Sequence, residues 1–288
     1  MIEVKKQFAK TLVVSILTSV FVFLFCKFFV IDLARVDSMS MSGSIKSNSL
    51  VFIKPFTFLS SDIKVNDIVE VQFPFTENDS AAQKGFFFKR IVALPGDTLN
   101  ISGSILFVNG KELEINANLL HNYVIKLKQQ KDTSLFEEEK ITEKYLIDDS
   151  CVYLVTLTKA RFLEIENKGI SIKKNGNDSG LYDENIFPNN PDIKWNSDFF
   201  GPLYMPKKND TIRLDTTNIA LYKKLIIDFE SNNLEIKKEK IFINQTAATY
   251  YIAKQNYYFA IGDNFDNAID ARHWGFIPQK AIHAKIIK

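Results

Sequence analysis

Residues 37–44 read DSMSMSGS, which puts Ser38, Ser40, Ser42 and Ser44 at alternate positions. Laid out as a strand, this stretch would turn all four hydroxyls to one side, because strand side chains alternate faces. A serine hydroxyl becomes a strong nucleophile only when a base removes its proton, and the usual bases are scarce here. The three histidines, His121, His273 and His283, are scattered, and neither a His-Glu-x-x-His nor a Cys-x-x-Cys pairing occurs. Zinc catalysis is therefore disfavoured and no metal is implied. A Gly-rich phosphate loop and a Gly-x-Ser-x-Gly elbow are also missing, so no nucleotide or other cofactor is expected. What remains is a lysine that has lost its charge in an apolar pocket.

Lys89 is the best candidate for that lysine. It sits in GFFFKRIVALPGDTL, and alternation puts Phe87 and Ile91 beside it on one face. Burial disfavours the ammonium form and lowers the pKa. Moving a lysine from about 10.4 to near 8 costs roughly 3 kcal/mol, which a stable domain can carry. The residues also allow a plainer reading, in which Lys89 and Arg90 close an edge strand in solvent, as charged side chains mostly do. Chemistry alone leaves both readings open.

The elements that would position these groups begin with an anchor. Thr11–Cys26 is free of charge and the run resumes after Lys27 with FFVI, so Thr11–Ile31 taken as one helix is about 32 Å long. That length spans a bilayer core, with Lys27 reaching the far interface. Lys5, Lys6 and Lys10 precede the run and keep the first ten residues cytoplasmic. A cleaved signal peptide is the alternative, but CKFFVIDLARVDS offers no small-x-small site just after the apolar stretch. Everything from Asp32 onward is then expected on the far side of the membrane, with lipid as a partner. A net charge of +2 suggests no nucleic-acid partner, and two distant cysteines, Cys26 and Cys151, suggest no disulfide framework.

Past the anchor the pattern is that of strands: Leu50–Ile53, Asp67–Phe73, Phe86–Leu94 and Leu99–Val108, separated by Asn66-Asp67, Pro95-Gly96 and Asn109-Gly110. SILFVNGKELEI reads as a hairpin on an Asn-Gly turn. Strand-like runs return in LEIKKEKIFINQ and YYIAKQNYYFAIGD. Between them lies a mixed polar stretch in which LLHNYVIKLKQQ and SLFEEEKITEKYLI look mixed or helical and NIALYKKLIIDFE has helical spacing. The expected fold is mainly β: a tip and anchor over 1–31, a core in two parts over 32–111 and 240–288, and an inserted α+β lobe over 112–239.

DSMSMSGSIKSNSLVFIKPF, FFFKRIVALPGDTL and GDNFDNAIDARHWGFIP resemble, in order and spacing, three boxes of the type I signal peptidases. FGPLYMPKKNDTI and the late IFINQ and YYFAIGDN are further similar to members from Bacteroidetes-like bacteria. These boxes cover about a quarter of the chain, and the last is hard to meet by chance. The resemblance implies a membrane-bound Ser/Lys endopeptidase of the bacterial inner membrane, which removes signal peptides from exported preproteins after Ala-x-Ala-like sites. Set against Leu50–Ile53, the first box puts the nucleophile at Ser40, followed by Met41, with Val36 at the aliphatic position and Ser44 at a usual threonine site. Ser38 and the Ser40 N–H would form the oxyanion hole, and Lys89 would be the general base. Gly262, Asp263, Asn264, Asp270 and Arg272 would build the floor, with Asp270 and Arg272 paired, and Arg90 would be a surface or structural cation. Ser42 and Ser44 would be turn or structural hydroxyls.

Three positions depart from the family pattern: Gly43 where a proline is usual, Asn66 where Gly precedes Asp, and Ala268 where many relatives carry a hydroxyl that orients the lysine. Gly43 and Ala268 keep a second expectation open, a weak or inactive homologue that binds exported chains as a scaffold. The cleavage segment is expected to add as a strand beside the chain leading to Ser40. Phe56, Phe58, Phe73 and Phe75 are either core or a dip into the membrane interface.

Overall fold

The computed structural model describes residues 2–55, 63–73, 85–115, 119–127, 134–148 and 151–287. Phe56, Phe58 and Phe75 lie outside the described residues. Helix α1 (Ile2–Phe29) starts well before the apolar run, because Lys5, Lys6 and Lys10 are good helix formers. Its segment Val4–Lys27 is long and apolar enough to cross a membrane, and none of its residues is buried within the protein.

Four strands follow, β1 (Asp32–Arg35), β2 (Leu50–Pro55), β3 (Ile68–Phe73) and β4 (Gly85–Ala93). The expected run Leu99–Val108 splits at a Gly103-Ser104 turn into β5 (Thr98–Ser102) and β6 (Ile105–Val108). Next is β7 (Lys111–Glu112), joined to β6 through Asn109 and Gly110, both at positive φ as the short Asn-Gly hairpin requires. LLHNYVIKLKQQ yields β8 (Leu120–Lys126), a strand because its alternate residues His121, Tyr123 and Ile125 are buried. Then come α2 (Ser134–Glu138), β9 (Lys144–Asp148), β10 (Val152–Thr158), α3 (Lys159–Asn167) and β11 (Ile172–Lys174).

The chain continues through β12 (Phe199–Tyr204), β13 (Thr211–Arg213) and α4 (Ile219–Lys224), which runs on into a π turn at Leu225–Phe229. It closes with β14 (Leu234–Lys237), β15 (Lys240–Ile243), β16 (Thr246–Ala247), β17 (Tyr250–Ile252), β18 (Tyr257–Ile261), α5 (Ala271–Trp274), β19 (Ile277–Pro278) and β20 (Ile282–Ile286).

Among the described residues, the main sheet runs β1-β2-β20-β3-β4-β18-β19 with every neighbour antiparallel. The chain's first and last strands are thus interleaved, so the serine and lysine stretches share a sheet with the C-terminal box. The 112–239 stretch does not pack as one unit. Tyr123, Ile125, Phe136, Val155 and Ile165 make a cluster of their own under the sheet β11-β8-β10-β9. Phe200, Leu203, Ile212, Leu225 and Phe229 instead join Ile91, Leu99, Phe259 and Phe276 in the principal core. Strand β12 pairs with β5, and β13 with β17, which ties this later half to the main body. Such long-range pairing leaves no mark in local composition.

Candidate active site

The serine stretch is not extended. Ser38 is in β conformation, but Met39–Met41 form a 3-10 turn, closed by bonds from the Ser42 N–H to Met39 O and from the Ser44 N–H to Met41 O. Buried Met41 and Val36 hold the turn against Ile53, Ile68 and Phe88. The four hydroxyls therefore part company. Ser42 Oγ donates to Met39 O at 2.7 Å, and Ser44 Oγ accepts from Arg90 at 3.1 Å. Ser38 Oγ and Ser40 Oγ stay together, 2.9 Å apart.

Lys89 arrives from β4 and its Nζ lies 2.7 Å from Ser40 Oγ. Its second contact is the Phe88 carbonyl at 3.1 Å. The residue is 1% exposed, so the solvated edge-strand reading does not hold. Phe87 and Trp274 line the amine, with ring centres 5.7 and 5.8 Å from Nζ. Burial pushes the pKa down to about 8; Asp270 and Asp263 pull it back up, while Arg272 pushes it further down. Phe73 is buried and stacks on Trp274 at 5.0 Å, so it belongs to this wall and not to a membrane-dipping loop. Ala268 brings no hydroxyl, and Lys89 is held instead by Ser40 Oγ and its own neighbour's carbonyl.

The C-terminal box forms the floor. The Asn264 N–H donates to the Ser40 carbonyl at 2.9 Å, and Asn264 Nδ2 reaches Met39 O at 3.3 Å. Gly262 passes so close that a Cβ there would fall 2.5 Å from Ser40 O and 2.4 Å from the Ala268 Cβ. Asp270 accepts from the Gly262 N–H, caps α5 and pairs with Arg272 through two bonds of 3.0 and 2.9 Å. Arg90 is not at the surface. It is 1% exposed and makes a bidentate pair with Asp263 at 2.7 and 2.6 Å, while also donating to Asn66 O. Asn66 has φ 72°, a left-handed conformation that asparagine tolerates in place of glycine.

His121, His273 and His283 stay apart, against Asp266, Asp270 and Glu70 respectively. Trp274 stands in the last box, yet its place as a wall of the lysine pocket has no signature in spacing. A serine hydroxyl hydrogen-bonded to a dry amine with a pKa near 8 is equipped for acyl transfer.

Comparison with known proteins agrees with this class. The pattern of the family described as signal peptidase, peptidase S26, matches residues 9–156 and 205–287. The chain is 23% identical over 271 residues to a signal peptidase I of Buchnera aphidicola subsp. Baizongia pistaciae, covering 90% of this chain and 69% of that protein. A second Buchnera aphidicola signal peptidase I, from subsp. Schizaphis graminum, is 23% identical across 100% of this chain and 76% of its own length. A short stretch of 35 residues, 12% of this chain and 14% of the relative, is 46% identical to a signal peptidase I of Aquifex aeolicus. The chain belongs to the S26 signal peptidase family and is a serine endopeptidase.

Proposed function

We propose that this enzyme removes N-terminal signal peptides from exported preproteins with Ser40 as nucleophile and Lys89 as general base. The observation that carries the reading is the buried 2.7 Å contact between Ser40 Oγ and Lys89 Nζ. Neutral Lys89 takes the Ser40 proton as Oγ attacks the scissile carbonyl. The developing oxyanion is met by the Ser40 N–H and the Ser38 hydroxyl, donors fixed in place before the reaction. Lys89 then passes its proton to the leaving amine, and the mature protein departs. A water, deprotonated by the same lysine, hydrolyses the acyl-enzyme.

Gly262, Asp263, Asn264, Asp270 and Arg272 act as scaffold under the Ser40 turn, with Met41 and Arg90 bracing it from the other side. The substrate's cleavage segment lies extended beside the chain leading to Ser40 and presents small side chains in an Ala-x-Ala-like pattern. α1 anchors the enzyme in the bacterial inner membrane, with the lysine-bearing tip cytoplasmic and the catalytic body on the far side. A signal peptide held in the same bilayer then meets the site in two dimensions.

The test is cleavage of a model preprotein in detergent by the full-length chain and its Ser40→Ala, Ser38→Ala and Lys89→Ala variants. The expected result is loss of product with Ser40→Ala and Lys89→Ala, and a partial loss with Ser38→Ala. Activity surviving in Ser40→Ala and vanishing in Ser38→Ala would assign the other serine.

A further inference from the structure

The turn beneath Ser40 is also held from outside the main sheet. Asn122, on β8, belongs to the separately packed sheet β11-β8-β10-β9. Its side chain and that of Asn267 form a reciprocal pair: Asn122 Nδ2 donates to Asn267 Oδ1 at 3.0 Å, and Asn267 Nδ2 donates to Asn122 Oδ1 at 3.1 Å. The second hydrogen on Asn267 Nδ2 goes to Asn264 Oδ1 at 3.0 Å. Asn264 in turn donates its N–H to Ser40 O at 2.9 Å and its Nδ2 to Met39 O at 3.3 Å. At the far end, Thr156 Oγ1 of β10 donates to Asn122 Oδ1 at 3.0 Å. An unbroken line of side-chain bonds thus runs from the interior of the outlying sheet to the backbone of the Ser40 turn.

The line is not needed to dock the two parts. The Asn122 N–H donates to Asp266 Oδ2 at 2.7 Å, and the Leu120 N–H donates to Asp263 O at 2.8 Å. Both are backbone donors that survive any non-proline substitution of Asn122. The Asn122 amide instead addresses Asn267, whose own amide orients Asn264. Asn122 is buried, and its amide oxygen accepts from both Thr156 and Asn267 while its Nδ2 donates to Asn267, so its geometry is closely set.

We propose that Asn122 is a positioning residue for the peptidase reaction, acting through Asn267 and Asn264 to hold the Ser40 turn in register with Lys89. The proposal rests on the assignment of Ser40 as nucleophile. The outlying sheet, on this view, is part of the catalytic frame.

Steady-state kinetics on a model preprotein, with full-length enzyme in detergent, test the idea. Asn122→Ala is expected to lower kcat about tenfold and leave KM within about twofold, since a misplaced nucleophile harms the chemical step more than binding. Asn267→Ala should do the same, and the double variant should be no slower than the worse single one, because both cut a single line. A kcat unchanged in Asn122→Ala, or losses that multiply in the double variant, would overturn the proposal. If Asn122→Ala fails to fold, Asn122→Ser keeps a small polar group and the same two backbone ties, and the same kcat loss is expected of it. Ser40→Ala run alongside separates the two failures. A dead Ser40→Ala beside a fully active Asn122→Ala sinks only the positioning role, whereas an active Ser40→Ala sinks the nucleophile assignment itself.

Discussion

A pH–rate profile is the sharpest probe of the Lys89 pocket. As the proposed general base, Lys89 must be neutral to take a proton, and burial brings its pKa from 10.5 to about 8. At pH 7 a lysine with pKa 8 is neutral in roughly one molecule in ten, against about one in three thousand at 10.5, a gain of roughly 300-fold in competent enzyme. The same shift means that burying the charged form costs the fold about 3 kcal/mol. kcat/KM should therefore rise about tenfold per pH unit below 8 and level off above it. Stability should move with it. Between pH 8 and 10.5 the unfolded chain holds the proton that the folded one has released, so stability rises with pH through that window and the full penalty stands below pH 8. Lys89→Met, which fills the same pocket without a charge, should be inactive. It should also be more stable than wild type below pH 8 by up to about 3 kcal/mol, an advantage that fades toward pH 10.5. The profile is measured with purified full-length enzyme and a peptide carrying a fluorescent reporter, and stability by denaturant titration across pH 6–10. A rate that is flat between pH 6 and 9, or a Lys89→Met advantage that does not depend on pH, would refute the reasoning.

Two further outcomes follow from the floor of the site. Gly262→Ala should cost about 1–3 kcal/mol by overpacking, because its Cβ would sit 2.5 Å from the Ser40 carbonyl. Its kcat should fall further than a surface variant of equal stability, and thermal melting beside kinetics reads both; wild-type kcat would rule out the close approach. Asp263→Asn leaves the buried Arg90 guanidinium with an uncharged partner and should destabilise the fold by about 3–5 kcal/mol. A denaturation midpoint that barely moves would show that the pair carries no such weight.

How much of this could be read from the residues alone differs from element to element. The strands from Leu50 to Ala93 and the Asn-Gly hairpin were legible because their signals are local: short alternating or apolar runs bounded by turn formers, and residues that tolerate positive φ. LLHNYVIKLKQQ was less clear, since a short apolar run fits either structure until its neighbours bury alternate residues. The long stretch 112–239 looks like one insertion in the sequence because composition says nothing about pairing partners. β12 pairs with β5 from the stretch before it, and β13 with β17 from the stretch after it.

At the site, residue types alone left Lys89 open between a buried base and a solvated cation, and it was the resemblance of three boxes that made Ser40, Ser38 and Lys89 candidates, together with the box from Gly262 to Arg272. An apolar N-terminal run long enough to cross a bilayer was equally plain, because the requirement is only length and the absence of charge. Tertiary structure decided the rest. The serine stretch winds into a 3-10 turn and does not run as a strand, since Val36 and Met41 must both reach the core while Asn264 holds the carbonyl of Ser40. Burial of Arg90, the aromatic wall made by Trp274 and the reach of Asn122 to the Ser40 turn join residues that are as many as 225 positions apart, as between Asn264 and Met39. Contacts at such separation depend on how sheets stack and on which polar groups must be satisfied once water is gone, and neither leaves a periodic trace along the chain.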